Sequence, residues 1–167
     1  MELKTLVAYL AKHTKIKGKK ALQKLVYFCT EMGIPVNCSF RMYLYGPYSD
    51  ELAEEIGDFI HSDILCIEND GYTFTCGTAC DDCCNEQELE QYKEKIDKVI
   101  GLFSGFRPMM LELYATVHFI AHAKKQINGS VEEDEVVNDV LNAKGSKFGE
   151  QEIRNAYKKL VEWNMIG

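Results

Sequence analysis

The chain lacks the short signatures that announce common chemistries. It has no G-x-S-x-G elbow, no Walker loop and no G-x-G-x-x-G turn, which removes the serine-hydrolase elbow and the usual nucleotide-cradling loops. It also lacks an uninterrupted apolar run: the longest, Phe106 to Ala123, is broken by Arg107, Glu112, His118 and His122. Neither a membrane span nor a secretory leader is expected. Between residues 49 and 70 there is no lysine or arginine at all, only the acids Asp50, Glu51, Glu54, Glu55, Asp58, Asp63, Glu68 and Asp70. A surface built from that stretch repels phosphates.

What is present suits one domain spanning 1–167, with 46% apolar residues, enough for its own core. The net charge of −7 is uneven. Residues 1 to 33 carry seven lysines against Glu2 and Glu31, a surplus of five positive charges, so the remainder carries −12. A phosphate-binding surface would therefore have to use this start, whose loop Lys15, Lys17, Lys19, Lys20 otherwise reads as a solvated face. Seven cysteines, an odd number, fit reduced thiols in a cytoplasmic protein better than a secreted disulfide framework.

The pattern along the chain predicts a mainly α (α+β) fold, with a winged-helix-like first half and a helical second half. Leu3, Leu6, Val7 and Leu10 predict a helix over residues 2–13; Leu22, Leu25, Val26 and Cys29 predict a second from about Gly18, stopped by Gly33. Alternation of Phe40, Met42 and Leu44 with Arg41, Tyr43 and Tyr45 predicts a short strand ended by Gly46 and Pro47. Ser49 is placed to cap a third helix whose stripe is Leu52, Ile56, Phe59 and Ile60. Ile64–Glu68 and Tyr72–Cys76, joined by Asn69-Asp70-Gly71, predict a hairpin that closes a first subregion, 1–76. An acidic, cysteine-rich loop follows at 77–88.

From 89 to 167 only helices are expected. One carries Leu89, Ile96, Val99, Ile100 and Phe103, and a central buried one opens at Pro108. Ser130 with Glu133 forms a capping box for the next, and Ile153, Ala156, Tyr157, Leu160 and Val161 mark the last.

Two constellations invite a metal. Cys76, Cys80, Cys83 and Cys84 are spaced closely enough to close on one soft ion, alone or with His118 and His122. The ordinary reading of the same residues is a reduced or adventitiously disulfide-forming loop, so no cofactor is expected, with zinc as the exception. His118 and His122 stand one helical turn apart, but Phe119, Ile120 and Ala121 separate them, so the glutamate of H-E-x-x-H is missing. On so apolar a helix they read as packed or backbone-bonded. Nothing here argues for an enzyme.

The run Ala21-Leu22-Gln23-Lys24-Leu25-Val26-Tyr27-Phe28, followed by Tyr43-Leu44-Tyr45-Gly46-Pro47-Tyr48-Ser49-Asp50-Glu51-Leu52, resembles the YwgA-like prokaryotic proteins. More distantly it resembles the SocA-like proteins called Panacea antitoxins. The resemblance implies a helical domain that binds another protein, as an antitoxin, a proteolytic adaptor or a product of phage or mobile elements. The cysteine-rich loop departs from that pattern. Gln23, Lys24, Tyr27, Tyr43, Tyr45, Gly46, Pro47 and Tyr48 become the interaction candidates, the tyrosines because they give large contact area at low entropic cost. The expected partner is a toxin or a protease substrate; nucleic acid and membrane are not expected, and homo-oligomerisation is left open. The competing readings are a winged-helix DNA-binding regulator and a small structural-zinc protein.

Overall fold

The structure, a computed structural model, describes all residues 1–167. Nine α-helices and two separate two-stranded antiparallel sheets make it mainly α with a minor β component. Helix α1 (Leu3–His13) and helix α2 (Gly18–Glu31) match the periodic apolar stripes. The link between them is pinned, because Ile16 exchanges two backbone hydrogen bonds with Phe74, of 3.0 and 2.7 Å. Phe74 belongs to the second hairpin, β3 (Leu65–Ile67) with β4 (Phe74–Cys76), which lies where Asn69-Asp70-Gly71 placed its turn. Asp70 closes that turn by accepting from the amides of Tyr72 and Thr73, both at 2.8 Å.

The expected single strand around residue 42 is instead one arm of a hairpin. Strand β1 (Arg41–Tyr43) pairs with β2 (Gly46–Tyr48), with Tyr43 opposite Gly46. Gly46 and Pro47 do not end the strand; they continue as its partner. Leu44 and Tyr45 turn the chain without positive φ, and Gly46 takes the left-handed position at φ 92°. A turn followed by a left-handed glycine is one of the common short hairpin closures. Helix α3 (Asp50–His61) starts where Ser49 was placed to cap it: the Leu52 amide donates to Ser49 Oγ over 3.3 Å.

The cysteine-rich loop contains a single helical turn, α4 (Cys80–Cys83), packed on α1 through the buried Cys80. Cys76 and Cys80 form a disulfide, the oxidised of the two forms expected for this loop, while the other five cysteines are free. The helix expected from Leu89 to Phe103 is two: α5 (Glu86–Glu90), capped by Asn85, and α6 (Lys93–Phe103). Tyr92 joins them at a wider φ (φ −114°, ψ −5°), and Leu89 and Ile96 are both buried in the core. Helix α7 (Pro108–Asn128) has Pro108 in its first turn and ends at the left-handed Gly129.

Helix α8 (Glu133–Lys144) begins three residues after Ser130, so the expected capping box does not form. Its first turn holds Glu133, Asp134 and Glu135 near the positive end of the helix dipole, and Arg154 ties Glu133 and Asp134 to the last helix at 3.2 and 2.7 Å. A 3-10 turn at Gly145–Lys147 leads into α9 (Glu150–Glu162). There Ile153, Ala156, Tyr157 and Leu160 are buried as expected, whereas Val161 is exposed.

One continuous core joins both halves. At its centre Phe28 of α2 stacks on Phe103 of α6, with centroids 4.0 Å apart, and Phe103 meets Phe106 and Trp163 edge-on. Phe103→Ala opens a cavity that no neighbour can fill without moving, and lowers the unfolding free energy by about 3–5 kcal/mol. Ile127→Ala, at a side chain 82% exposed, leaves it within about 0.5 kcal/mol. Denaturant unfolding of the two variants against the parent checks both values.

Candidate functional site

The two pieces of the family-like pattern meet in space. On α2, Gln23 and Lys24 are both buried and face the β2 segment. Gln23 Nε2 donates to the Ser49 carbonyl over 2.9 Å, while its Oε1 accepts from the Ser49 amide over 2.8 Å. Lys24 Nζ donates to the Pro47 carbonyl over 2.9 Å. Strand β2 has only β1 on one side, and the backbone groups on its other side are buried, so they need partners. A glutamine side chain supplies a donor and an acceptor together, as a neighbouring strand would. Gln23 thus stands in for a third strand at Ser49.

Gly46 lets this segment approach α7. A Cβ there would sit 2.9 Å from Thr116 Oγ1 and 3.4 Å from Lys24 Cε. One turn earlier on α7 lies Glu112, fully buried. Its carboxylate gathers ammonium groups from three parts of the chain. Lys20 comes from α2, Lys144 from the end of α8 at 2.9 Å, and Lys147 from the 3-10 turn at 2.8 Å to each oxygen. Lys144 Nζ also donates to the Leu44 carbonyl over 3.0 Å. The Tyr45 ring lies over Lys20 and Lys147, 4.7 and 4.9 Å from its centroid.

The electrostatics follow from burial and charge. Burial alone pushes the Glu112 carboxyl up, but the hydrogen bonds from Lys144, Lys147 and Lys20 outweigh it and hold the group at about 2. Lys24 goes the other way. Burial brings it down to about 7, with repulsion from Lys20, Lys144 and Lys147 opposing the attraction of Glu112. One carboxylate faces four lysines, so a positive island sits inside a chain of net charge −7.

The eight interaction candidates divide by burial. Gln23, Lys24, Tyr27, Gly46 and Pro47 are inside and position the hairpin; they cannot touch a partner. Tyr43 (47% exposed) and Tyr45 (54%) stand at the tip with Leu44 (68%), and Tyr48 is half-buried. Arg41 braces the tip: its guanidinium lies 4.5 Å from the Tyr43 ring and bonds both Asp50 carboxylate oxygens at 3.3 and 3.2 Å. Beside Tyr45, Lys147 also lies 5.8 Å from the ring of the buried Phe148, which borders a cavity of about 390 Å³ lined also by Met109, Met110 and Leu113.

Glu112, Lys144 and Lys147 are the residues that reading the sequence missed. The signal was a lone carboxylate on a helix apolar nearly all round, since a buried acid requires cations. Of the cysteines offered as ligands, Cys76 and Cys80 are joined to each other, and Cys83 and Cys84 are separate partly buried thiols. The groups that do converge as potential metal ligands are Glu31, His118 and His122, with ligand atoms all within 4.8 Å of one another. Compared with known proteins, the chain matches no family model and no curated sequence.

Three outcomes are expected at this site. Glu112→Gln leaves three lysines around a neutral buried amide and destabilises the fold by about 3–5 kcal/mol, read by denaturant unfolding. On the acid side, the Glu112 carboxyl is held at about 2 against an ordinary 4.5. Its stabilisation is whole above about pH 4.5 and is lost as pH falls toward 2. On the alkaline side, Lys24 is held at about 7 against 10.5. The unfolded chain therefore binds the extra proton between those values, and stability rises with pH across that window. Lys24→Met flattens the rise, which thermal melts at a series of pH values would read.

Proposed function

We propose that the protein is an interaction module of the antitoxin or adaptor kind, and that its β1–β2 hairpin tip is the part that meets a partner protein. The observation that carries this reading is the braced tip Tyr43-Leu44-Tyr45: three large, exposed side chains on a turn held from beneath by Lys144, Gln23 and Lys24. Preorganised aromatic side chains lose little entropy on binding, which is why such residues dominate interface energies. The apolar cavity at Met109 and Met110 suits a partner segment with an apolar anchor. The resemblance of the Gln23-Lys24 and Gly46-Pro47 pieces to SocA-like antitoxins supports the same reading.

Direct DNA reading by α3 is disfavoured by charge. Asp50, Glu51, Glu54, Glu55 and Asp58 line it with no lysine or arginine, and in the basic start Lys4, Lys12, Lys15 and Lys20 are each paired with an acid, which leaves only Lys17 and Lys19 unpaired in that loop. Phosphate binding needs free cations. The test is co-expression with the protein encoded next to its gene, followed by affinity measurement on purified components. Leu44→Asp and Tyr45→Ala are expected to weaken a complex by about 2 kcal/mol or more each without changing the thermal midpoint of the free protein. A complex indifferent to both changes, or tight DNA binding that falls steeply between two salt concentrations, overturns the proposal.

A further inference from the structure

The contact between α2 and α7 carries a second polar cluster, about two to three helical turns along α2 from Lys20. Here α2 contributes Tyr27 and Glu31, one turn apart, and α7 contributes His118 and His122, also one turn apart. His118 Nε2 lies 3.0 Å from the Met165 carbonyl and Nδ1 lies 2.7 Å from the Tyr27 hydroxyl. A carbonyl can only accept, so Nε2 carries the proton and Nδ1 presents its lone pair toward α2. This is how metal-ligating histidines are held, the second ring nitrogen donating to a backbone carbonyl that fixes tautomer and orientation. His122 Nδ1 lies 3.4 Å from a Glu31 carboxylate oxygen, while its Nε2 accepts from the Gln126 amide over 2.8 Å, so Nδ1 carries a proton that an ion binding there displaces to solvent. No lysine or arginine pairs with Glu31, and His122 is its one ionic partner, so this half-buried carboxylate has no permanent counter-charge.

From this geometry we infer that Glu31, His118 and His122 form a binding site for a zinc-class divalent ion that ties α2 to α7. Two imidazoles and a carboxylate are a ligand set zinc accepts, with water in the remaining position. The ligands come from two helices packed against each other and anchored by the core around Phe28, so their spacing is set before any ion arrives. Access is open: His122 is half-exposed and borders a cavity of about 380 Å³ with Gln126, Met165 and Ile166. On binding, the ion takes the Nδ1 lone pair of His118 that the Tyr27 hydroxyl occupies without it, and the hydroxyl turns aside or adds its oxygen as a further ligand. Histidine, tyrosine and glutamate thus change partners while the fold stays as it is.

The test is titration of chelator-treated, untagged full chain with zinc chloride by calorimetry, repeated with cobalt(II) to read its ligands from visible absorption. One equivalent is expected, with a cobalt spectrum of nitrogen and oxygen ligation and no thiolate charge-transfer band. His122→Gln and Glu31→Gln should each weaken binding tenfold or more. Cys83→Ser/Cys84→Ser together should leave it unchanged. Because His122 and Glu31 are not core residues, metal-free melts of their variants should match the parent, separating lost ligation from lost folding. Absence of binding, binding that survives His122→Gln, or binding that disappears with the two cysteines overturns the inference.

Discussion

The burial of Glu112 is the constraint on which the arrangement of the hairpin face depends. An ionised carboxylate on the inner side of α7 is tolerable only if cations reach it, and the chain brings them from α2, from the end of α8 and from the turn before α9. Each cation also does something to the surface. Lys144 reaches past the carboxylate to the Leu44 carbonyl, and Lys20 and Lys147 place their charges under the Tyr45 ring. Burial first, and then the repulsion of these lysines, brings Lys24 down to about 7, which makes its place against the Pro47 carbonyl tolerable. Removing the acid would therefore disturb the hairpin from below, although Glu112 is nowhere on its surface.

A two-stranded hairpin is marginal by itself in water. Strands β1 and β2 persist because the free side of β2 is completed by side chains: Gln23 does the work of a strand at Ser49, and Lys24 serves the carbonyl of Pro47, which has no amide of its own to offer. The clip also sets the start of α3, since the residue it grips, Ser49, is the one that caps the helix. Motif residues that look like a contact surface in one dimension are thus the frame that presents one. The presented part is the turn between them, Tyr43 to Tyr45.

The helices were legible in the sequence where an apolar stripe and a stop signal agreed, as at α1, α2, α3 and α9. The β3–β4 hairpin was legible because Asn69-Asp70-Gly71 carries its own turn chemistry. The β1–β2 hairpin was not. Its turn residues Leu44 and Tyr45 carry no turn signal, and Gly46-Pro47 reads locally as a terminator, although tertiary partners on α2 let it pair. Ser130 misled for a similar reason: the box was present in the letters, but acids in the first turn and Arg154 from α9 stabilise a later start. At the site, the tyrosines were legible and their support was not, because Lys144 and Lys147 lie far along the chain from the hairpin and nothing local marks them.

Helices α2 and α7 run parallel where they touch, since Lys20 meets Glu112 and, further along both, Tyr27 meets His118 and Glu31 meets His122. A polar seam therefore runs through an otherwise apolar contact, where hydrophobic side chains of similar size would often be as stable or more so. What such a seam adds is register. Slipping α2 by one turn against α7 would take Lys20 from Glu112, leaving it only Lys144 and Lys147, and would leave the buried Nδ1 of His118 without its tyrosine. An apolar contact would tolerate that slip far better. The register it enforces is the one that aligns Gln23 with Ser49 and Lys24 with Pro47. The position of the exposed tyrosines is thus set by polar pairs along a helix contact that extends well beyond them.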